Sequence, residues 1–549
     1  MAIITIPRKE LEKLAKYDNN LVERINLFGT PVESFNDENI EVEVLPNRPD
    51  MFSSQGFLRS FKSYLGLKKG LVNYEIKKPE NNYKVKISNE LKNIRPFTAC
   101  AIVKNLKLDD ERIKQIIDLQ EKLHSTLGRN RKKIAIGIYP LEKIKLPIAF
   151  EARNPKDINF IPLEGNKSMN GLEILEKHPI GREYSHLLKN LNKFPVFVDD
   201  NEKILSMPPI INSDETGRVV KETKDVFVEC SGFDFNLLKK TLNIIITTLA
   251  DMNGQVYQME LDYGKKELTP DLTPQEINIS VNSVNKLIGL NLKEKEVEEL
   301  LSKMGYNYKN NKAFAPAWRT DILHEVDVIE DIAIAYGYDK LNAEIPEVST
   351  IGEENIEEKI KSKIIENLIG LGLIEVLSYH LIKEEESKML KLSQDVIELL
   401  DSKTEYKLLR PSLLIPALRI LFENKHNEYP QNIFEIGTIF KKGDSETGVI
   451  EQTSLSVVLC DSKSNFTQIM QILDSLLTSF GINYNIKEDE DENFISGRFG
   501  KIIVNDKEIA KIGEIHPKIL KNFNLELPVS CLELNLDEIF KIILLSQIV

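Results

Sequence analysis

The sequence predicts an α+β chain of several domains, in which helices and short strands alternate without a repeating unit. Its 549 residues are too many for one hydrophobic core, because domains usually hold about 100 to 200 residues. Hydrophobic residues make up 42% and charged residues 29%, a balance typical of globular proteins. The glycine fingerprints of dinucleotide-binding and phosphate-binding loops are absent. Domain boundaries must therefore be placed from turn residues and changes of pattern.

Changes of pattern divide the chain into four segments. The first, 1–88, combines a helical start with short apolar strands, and the second, 89–266, mixes helices with strand-rich stretches. The prolines and charges of GKKELTPDLTPQE are typical of a linker before a short helical segment at 268–345. The last segment, 350–549, alternates amphipathic helices with strands such as SLSVVLC, which favours an α+β layout.

Composition excludes several classes of protein. Four isolated cysteines form no CxxC pair, which argues against a zinc ribbon or a disulfide framework and favours a reducing cytoplasmic compartment. The sequence has neither a run of ~20 apolar residues nor a signal-peptide cleavage pattern, so we expect no membrane association. The net charge of −13 argues against a chain that coats nucleic acid.

An acidic cluster lies in the stretch RTDILHEVDVIEDIAIAYGYDKL. Asp327, Glu330 and Asp331 are spaced to share one part of a helix, and Asp321 precedes them by about one turn. Neighbouring like charges are destabilising and favour a cation, and oxygen ligands without His or Cys favour magnesium over zinc. The alternative is a solvated acidic face near the positive end of the helix dipole. Arg319 or a lysine of a partner could also neutralise these acids.

A polar group of residues is predicted near the middle of the chain. The strand VFVECSGF alternates, so Phe227, Glu229 and Ser231 should share one face. Asn212 and Ser213 lie in a turn that follows two prolines. Together these residues could form a small polar cavity suited to a phenolic hydroxyl, or to an ester and its attacking water. The alternative is a polar strand edge that faces solvent.

Several motifs in this order resemble those of phenylalanine–tRNA ligase beta subunits of the archaeal/eukaryotic kind. PAWRTDILHEVDVIEDIAIAYGYDKL is similar to the metal-carrying module of that family, and NRPDMFSSQGFLRSFKSYLGL to its N-terminal module. ILSMPPIINSDETGRVVKETKDVFVECSGFD is similar to the proofreading module. LLRPSLLIPALRIL, FEIGTIF and IGEIHP resemble the C-terminal module, which is built like a class II synthetase catalytic domain. The resemblance therefore covers nearly the whole chain.

The resemblance implies a domain plan. It assigns an N-terminal α/β module to 1–88, a mixed α/β tRNA-editing domain to 89–266 and a small helical module with a magnesium site to 268–345. The remaining segment, 350–549, should be a class II synthetase-like domain with an antiparallel sheet that lacks catalysis and contacts the alpha subunit. The magnesium ligands implied are Asp321, Asp327, Glu330 and Asp331.

The resemblance also implies site residues in the editing domain. The polar pocket positions of the family fall on Ser213, Glu229 and Ser231, with Ile204 as the hydrophobic wall and Asn212 beside the substrate. The family usually has Thr at the last polar position, so Ser231 departs from the pattern but keeps a hydroxyl.

The basic run GRNRKK is the predicted contact with RNA. Its Arg129 and Arg131 are expected to hold phosphates of the tRNA acceptor end, although a solvated helix end explains such a run equally well.

The activity implied by the resemblance belongs to an assembly. Two alpha and two beta subunits attach phenylalanine to tRNA(Phe) using ATP and magnesium, with ATP and phenylalanine held by the alpha subunit. The beta subunit hydrolyses misacylated Tyr-tRNA(Phe), since binding alone selects only ~100-fold against an added hydroxyl. No Ser–His–Asp grouping is evident, so an oriented water is expected and no general base is assigned. The alternative is a non-enzymatic scaffold and tRNA-binding subunit with an inactive pocket.

The C-terminal segment lacks a recognisable ATP site. Its Arg410 and Arg419 lie in the mainly apolar run LRPSLLIPALRIL, which is typical of core and interface rather than of a phosphate clamp.

Overall fold

The protein forms two compact units, 1–345 and 346–549. The computed structural model describes residues 2–15, 20–80, 82–346, 348–390 and 396–546. Three of the predicted segments lie in the first unit, and the fourth lies in the second. The structure has the mixed α+β, multidomain character that the sequence predicted. Within the described ranges, no helix is long and apolar enough to span a membrane.

The first unit begins with a small antiparallel sheet and three helices. The strands are β1 (Ala2–Pro7), β2 (Val32–Phe35) and β3 (Asn39–Val44), in the order β1-β3-β2, and the helices are α1 (Arg8–Ala15), α2 (Leu21–Leu27) and α3 (Ser54–Tyr64). Ser53 caps α3, because its hydroxyl accepts a hydrogen bond from the Gly56 amide. Ile4 and Ile6 of β1 are buried against the aromatic face of α3 in the core.

The second part of this unit is built on one large mixed sheet. Its strands are β4 (Ile76–Lys77), β5 (Lys84–Ile87), β6 (Phe97–Lys104), β7 (Ile134–Pro140), β8 (Ile148–Arg153), β11 (Phe194–Val198), β12 (Ile204–Met207), β13 (Ile211–Asn212), β14 (Val226–Gly232), β15 (Gln255–Asp262) and β16 (Lys266–Thr269). β9 (Asn159–Phe160) and β10 (Met169–Asn170) form a separate antiparallel pair. The order is β13-β12-β11-β8-β5-β15-β6-β14-β7, and β4 and β16 also pair with β15. The helices are α4 (Asp110–Ser125), α5 (Gly171–Lys177), α6 (Pro179–Tyr184), α7 (Asp214–Gly217) and α8 (Phe235–Asp251).

The strand β14 lies inside this sheet, between β6 and β7. Val226, Val228 and Cys230 pack into the core that contains α8, while Phe227 faces the opposite core. The predicted alternation is therefore confirmed. The alternative of a solvent-facing strand edge is wrong, because every residue of β14 is buried.

The third part of the first unit contains α9 (Val281–Ile288), α10 (Glu294–Lys303) and α11 (Glu325–Tyr336). It also contains an antiparallel sheet that the sequence did not reveal, formed by β17 (Gln275–Asn278), β18 (Asn307–Lys309) and β19 (Lys312–Ala315) in the order β17-β19-β18. These strands are three or four residues long, too short for an alternating pattern to stand out. The prediction of a small helical module is corrected to this extent.

The second unit contains a long sheet of seven strands. The strands are β20 (Ile374–Glu375), β24 (Gln431–Lys442), β25 (Val449–Cys460), β26 (Asn485–Glu488), β27 (Phe494–Val504), β28 (Lys507–Ile515) and β29 (Val529–Asn535). Their order in the sheet is β20-β24-β25-β29-β28-β27-β26. Its pairs are antiparallel except that β20 runs parallel to β24. A smaller sheet contains β21 (Leu381–Lys383), β22 (Ile397–Glu398) and β23 (Tyr406–Leu409). The helices are α12 (Ile356–Gly370), α13 (Glu384–Met389), α14 (Leu414–Glu423), α15 (Phe466–Ser479), α16 (Pro517–Asn522) and α17 (Leu536–Ser546).

The two arginines considered for ATP binding form internal ion pairs. Arg410 is 1% exposed, and its Nη1 lies 2.7 Å from Oε1 of Glu435. Arg419 lies 3.0 Å from Glu386. Both guanidinium groups therefore pair with carboxylates of their own unit; Arg410 is a core residue, whereas Arg419 is partly buried.

Candidate functional site

A cavity of about 410 Å³ opens beside β14 in the first unit, a size typical of ligand sites. Among its lining residues are Glu229, Asn212, Arg131, His124, Ile138 and Pro209. Three of the predicted site residues thus meet in one cavity. The other predicted residues of this site are not part of its lining.

Glu229 is the acidic group of this cavity, and it is 1% exposed. Its Oε1 accepts a hydrogen bond of 3.3 Å from the hydroxyl of Tyr139. Its Oε2 has no hydrogen-bond partner among the described residues. Burial raises the pKa of Glu229 to about 8. The charge of Arg95 is the largest effect that opposes this rise.

Tyr139, which the sequence analysis missed, holds the polar groups of the cavity together. Its hydroxyl lies 2.8 Å from Oγ of Ser206, 3.3 Å from Oδ1 of Asn212 and 3.3 Å from Oε1 of Glu229. One phenolic proton therefore faces three acceptors, and Ser206 is the nearest. Burial raises the pKa of Tyr139 well above its ordinary value, so the phenol stays protonated.

Gly137 makes room for this phenol. It pairs with Glu229 across β7 and β14. A Cβ at Gly137 would lie 2.2 Å from the hydroxyl oxygen of Tyr139, closer than any two unbonded atoms can approach. The absence of a side chain therefore allows the phenol to reach Glu229.

Ser231 acts behind Glu229 rather than in the cavity lining. Its hydroxyl accepts a hydrogen bond of 3.0 Å from Nε of Arg95, and its carbonyl accepts one of 2.5 Å from Nη2. Arg95 is 2% exposed, and burial lowers its pKa to about 10, so it remains charged at neutral pH. Ser231 therefore positions a buried cation that acts on Glu229.

Ser213 and Ile204 are buried outside the lining. The amide of Ser213 donates to the Leu205 carbonyl, and its own carbonyl accepts from the Gly217 amide. Ile204 packs in a separate apolar cluster that includes Ile211. Their observed contribution is to fix the backbone that carries Asn212.

The predicted RNA-binding arginines have different surroundings. Arg131 donates to the Ile210 carbonyl at 2.8 Å and to Glu121 at 3.0 Å, and its guanidinium lies over the ring of Tyr184. Arg129 is exposed at the surface. Arg131 therefore contacts other residues of the protein beside the cavity, whereas Arg129 is exposed.

His124 is a further cavity residue that the sequence analysis did not single out. Its Nε2 accepts a hydrogen bond from the Ile136 amide, and its Nδ1 lies 3.3 Å from Oε1 of Glu121. Burial lowers the pKa of His124, which favours the neutral imidazole. The proton must then be on Nδ1, because Nε2 is the acceptor.

The acidic cluster at 321–331 is organised around Arg319. This arginine is 3% exposed and donates two hydrogen bonds to Asp321, of 2.8 and 2.6 Å, and one of 2.8 Å to Asp331. The hydroxyl of Tyr306 also donates to Asp331, at 2.5 Å. Burial opposes ionisation of Asp321, but Arg319 outweighs this effect and the pKa of Asp321 lies below its ordinary value.

The other two acids of the cluster have separate surroundings. Asp327 accepts hydrogen bonds of 2.7 Å from the amides of Leu323 and His324, which is a helix-capping arrangement. Glu330 is exposed. Within the described ranges, no group of three or more His, Cys, Asp or Glu side chains is arranged to hold a metal ion. The predicted magnesium ligands do not converge in this arrangement. Asp321 and Asp331 share the one positive charge of Arg319, as the alternative raised by the sequence expects in part, and the magnesium site stays a prediction.

The charge network extends into the N-terminal part of the unit. Arg48 donates two hydrogen bonds of 2.9 Å to Asp50, whose side chain is fully buried. The charges of Arg319 and Asp321 also act on Arg48. This part of the motif NRPDMF therefore belongs to the same buried network as α11.

Comparisons with known proteins show the family of the chain. The family model described as "Phenylalanyl tRNA synthetase beta chain CLM domain" matches 341–536, and the one described as "tRNA synthetase B5 domain" matches 277–338. The chain is 40% identical over 504 residues to the phenylalanine–tRNA ligase beta subunit of Pyrococcus abyssi, with 90% of each chain covered. It is 35% identical over 552 residues to that of Archaeoglobus fulgidus, covering 98% of this chain and 99% of the other.

A solved structure provides a further match. The crystal structure of an N-terminal fragment of the phenylalanyl-tRNA synthetase beta subunit from Pyrococcus horikoshii is 37% identical, with a TM-score of 0.57, and the match covers 61% of this chain and 99% of the fragment. The family models define the class as tRNA synthetase chains. Within that class, this chain belongs to the family of phenylalanine–tRNA ligase beta subunits.

Replacing Asp327 with Ala should destabilise the first unit whether or not magnesium is present. Two amides at the start of α11 would lose their acceptor, which typically costs about 0.5–2 kcal/mol. Thermal unfolding with magnesium or with a chelator measures this effect. Glu330→Ala is the matched control, because Glu330 is exposed on the same helix. A loss of magnesium affinity in both variants would contradict the account.

Replacing Glu229 with Gln should remove a pH dependence of stability. The pKa of Glu229 is about 8 in the folded protein and about 4.5 in the unfolded chain. Its contribution to the free energy of unfolding is therefore fully present below about pH 4.5 and is lost as the pH rises to about 8. Each pKa unit corresponds to about 1.4 kcal/mol, so the free energy of unfolding of the wild type should fall by a few kcal/mol relative to that of Glu229→Gln. Unfolding midpoints of both proteins at about pH 5.5 and about pH 8.5 test this. If the unfolding midpoints of the two proteins changed equally with pH, Glu229 would be ionised in the folded protein.

Proposed function

We propose that this chain is the proofreading subunit of a phenylalanine–tRNA ligase and that the cavity beside Glu229 admits tyrosine misattached to tRNA(Phe). The observation that carries the proposal concerns Glu229, which is one of the lining residues of the cavity. Its Oε2 is buried and has no hydrogen-bond partner among the described residues. A phenolic hydroxyl is a group of the right kind to satisfy it. Hydrolysis of the tyrosyl ester would then remove the wrong amino acid.

Discrimination follows from the energetics of an unsatisfied group. Phenylalanine has no hydroxyl, so Oε2 of Glu229 would stay without a partner when phenylalanine binds, whereas tyrosine would supply one. Leaving such a group unsatisfied costs about 1–3 kcal/mol. Because 1.4 kcal/mol is about a factor of ten, the cavity would prefer tyrosine by roughly 5-fold to 150-fold.

The protonation state of Glu229 suits this task. With a pKa of about 8, the carboxyl is mainly protonated at neutral pH, and it can donate to a phenol oxygen or accept from a phenol hydroxyl. Tyr139 and Asn212 hold the neighbouring polar positions and limit the directions from which a hydroxyl can approach. A neutral carboxyl also avoids placing a full charge in an apolar wall.

The remaining predicted residues receive supporting roles in the proposal. Ser231 holds Arg95 behind Glu229, while Ser213 and Ile204 support the turn at Asn212. The attacking group would be an oriented water, without an assigned general base.

Contact with tRNA would come from the basic run. Arg129, which is exposed, would bind a phosphate of the acceptor end. Arg131 would bind a ligand only by exchanging its contact with Glu121, and it therefore contributes mainly to the wall of the cavity.

Aminoacylation would occur on an alpha subunit, in an assembly of two alpha and two beta subunits. The second unit would be a non-catalytic class II synthetase-like domain that contacts this partner, and the internal ion pairs of Arg410 and Arg419 support the absence of an ATP clamp. Phenylalanine, ATP and its magnesium would be held by the alpha subunit. No reaction step is assigned to a magnesium ion on α11.

Replacing Glu229 with Ala should separate the two activities of the assembled enzyme. Hydrolysis of Tyr-tRNA(Phe) should slow by at least about tenfold, because a loss of ~1.4 kcal/mol in transition-state binding has that effect. Attachment of phenylalanine should barely change. The exposed Glu176 of α5 offers a matched control, and Glu176→Ala should affect neither activity. If Glu229→Ala hydrolysed Tyr-tRNA at the wild-type rate, the pocket would be misplaced, and loss of both activities would favour the scaffold alternative.

The isolated chain should not attach phenylalanine to tRNA. Its Arg410 and Arg419 are engaged in internal ion pairs, so the second unit offers no guanidinium from this motif to ATP. Adding the alpha subunit should restore ATP-dependent aminoacylation, measured with labelled phenylalanine. ATP-dependent aminoacylation by the purified chain alone would contradict this division of labour.

A further inference from the structure

A second cavity, of about 570 Å³, lies in the second unit over one face of its long sheet. Three of its residues form a row across neighbouring strands, since Ser456 of β25 pairs with Glu533 of β29, and Glu533 pairs with Lys511 of β28. Opposed residues in a sheet share one face, so a hydroxyl, a carboxyl and an ammonium group line its floor side by side.

Ser456 is an unsatisfied group in this floor. It is 1% exposed, and its hydroxyl has no hydrogen-bond partner among the described residues. Its neighbour Ser454 is equally buried, but it accepts a hydrogen bond of 2.9 Å from Gln452. A buried hydroxyl without a partner is costly, and Ser456 is a lining residue, so a polar ligand atom that reached its hydroxyl would relieve this cost.

Glu533 is held in place beside Ser456. One carboxyl oxygen accepts from the Leu413 amide at 2.7 Å, and the other accepts from the Ser412 hydroxyl at 2.9 Å. Each carboxylate oxygen can accept a second hydrogen bond. The carboxyl is therefore oriented and keeps acceptor capacity for a ligand.

Positive charge and apolar surface complete the cavity. The ammonium group of Lys511 lies 3.7 Å from Asp491, which is longer than a direct hydrogen bond, and the lysine is exposed. The apolar part of the lining includes Phe440 and Phe494. The cavity thus offers a carboxyl group whose pKa is raised by burial, an ammonium group and an aromatic wall, together with further charged residues of its lining.

We propose that this cavity binds a free α-amino acid with an apolar side chain. Its ammonium group would donate to Glu533 and Ser456, and its carboxylate would meet Lys511. Its side chain would pack against Phe440 and Phe494. A zwitterion would pair with both Glu533 and Lys511, whereas an amine or a simple acid would pair with only one of them, which is why a zwitterion fits better. The site is independent of the cavity at Glu229 and of the hydrolysis proposed there.

Ligand-detected NMR on the full chain, assembled with its alpha partner, tests this proposal with L-leucine as the probe. Two analogues of leucine test its two charged groups separately, because isopentylamine lacks the carboxylate and 4-methylpentanoate lacks the ammonium group. L-Leucine should bind with a Kd of about a millimolar or tighter, and each analogue should bind at least about tenfold more weakly.

Two variants assign the binding to this cavity. Glu533→Gln and Lys511→Met should each weaken L-leucine binding at least about tenfold. Lys487→Met, at an exposed lysine of β26, is the matched control and should leave binding unchanged. Lys511 is exposed, so its variant keeps the test decisive even if Glu533→Gln fails to fold.

Four results would overturn the proposal. They are absence of L-leucine binding, equal binding of the single-charge analogues, unchanged binding in Lys511→Met, and binding to the isolated chain that assembly with the alpha partner abolishes. The last result would identify the cavity as part of the subunit interface.

Discussion

A carboxyl group buried in the middle of a sheet is the constraint on which the first cavity depends. Glu229 can occupy β14 only because its surroundings reduce the cost of burying it. Gly137 leaves space for the phenol of Tyr139, whose hydroxyl lies within hydrogen-bonding distance of one carboxyl oxygen. Arg95 provides a buried positive charge behind it. The other oxygen is left unsatisfied, and this residual cost is what a hydroxyl-bearing ligand can relieve.

The acids at 321–331 are held in a different way. There, Arg319 binds Asp321 and Asp331 directly, and Asp327 satisfies amides at the helix start. The single guanidinium gives hydrogen bonds to both carboxylates and balances one of their two negative charges. The two acidic regions therefore differ in kind, because α11 is internally satisfied whereas Glu229 keeps a free acceptor.

The sequence was informative where local pattern decides the structure. Alternation in VFVECSGF placed Glu229 and Ser231 on one face, and the apolar setting of Arg410 indicated a core residue; both predictions are confirmed. Contacts between side chains of distant segments could not be predicted from local pattern. Tyr139 reaches Glu229 only because β7 pairs with β14, and Arg95 lies 136 residues before the Ser231 that it binds. The spacing of the acids in α11 suggested a metal site, but spacing alone did not show that Arg319 would already hold two of them.

The most direct test of the central claim is a comparison of two stable analogues of the aminoacylated tRNA end, adenosine that carries tyrosine or phenylalanine through a 3′-amide. Calorimetry on the assembled enzyme would compare wild type with Glu229→Ala. The account predicts that wild type binds the tyrosyl analogue roughly 5-fold to 150-fold more tightly than the phenylalanyl one. In Glu229→Ala the two affinities should become nearly equal, because the unsatisfied oxygen is gone. Equal affinities in wild type, or a preference for tyrosine that survives in Glu229→Ala, would contradict it.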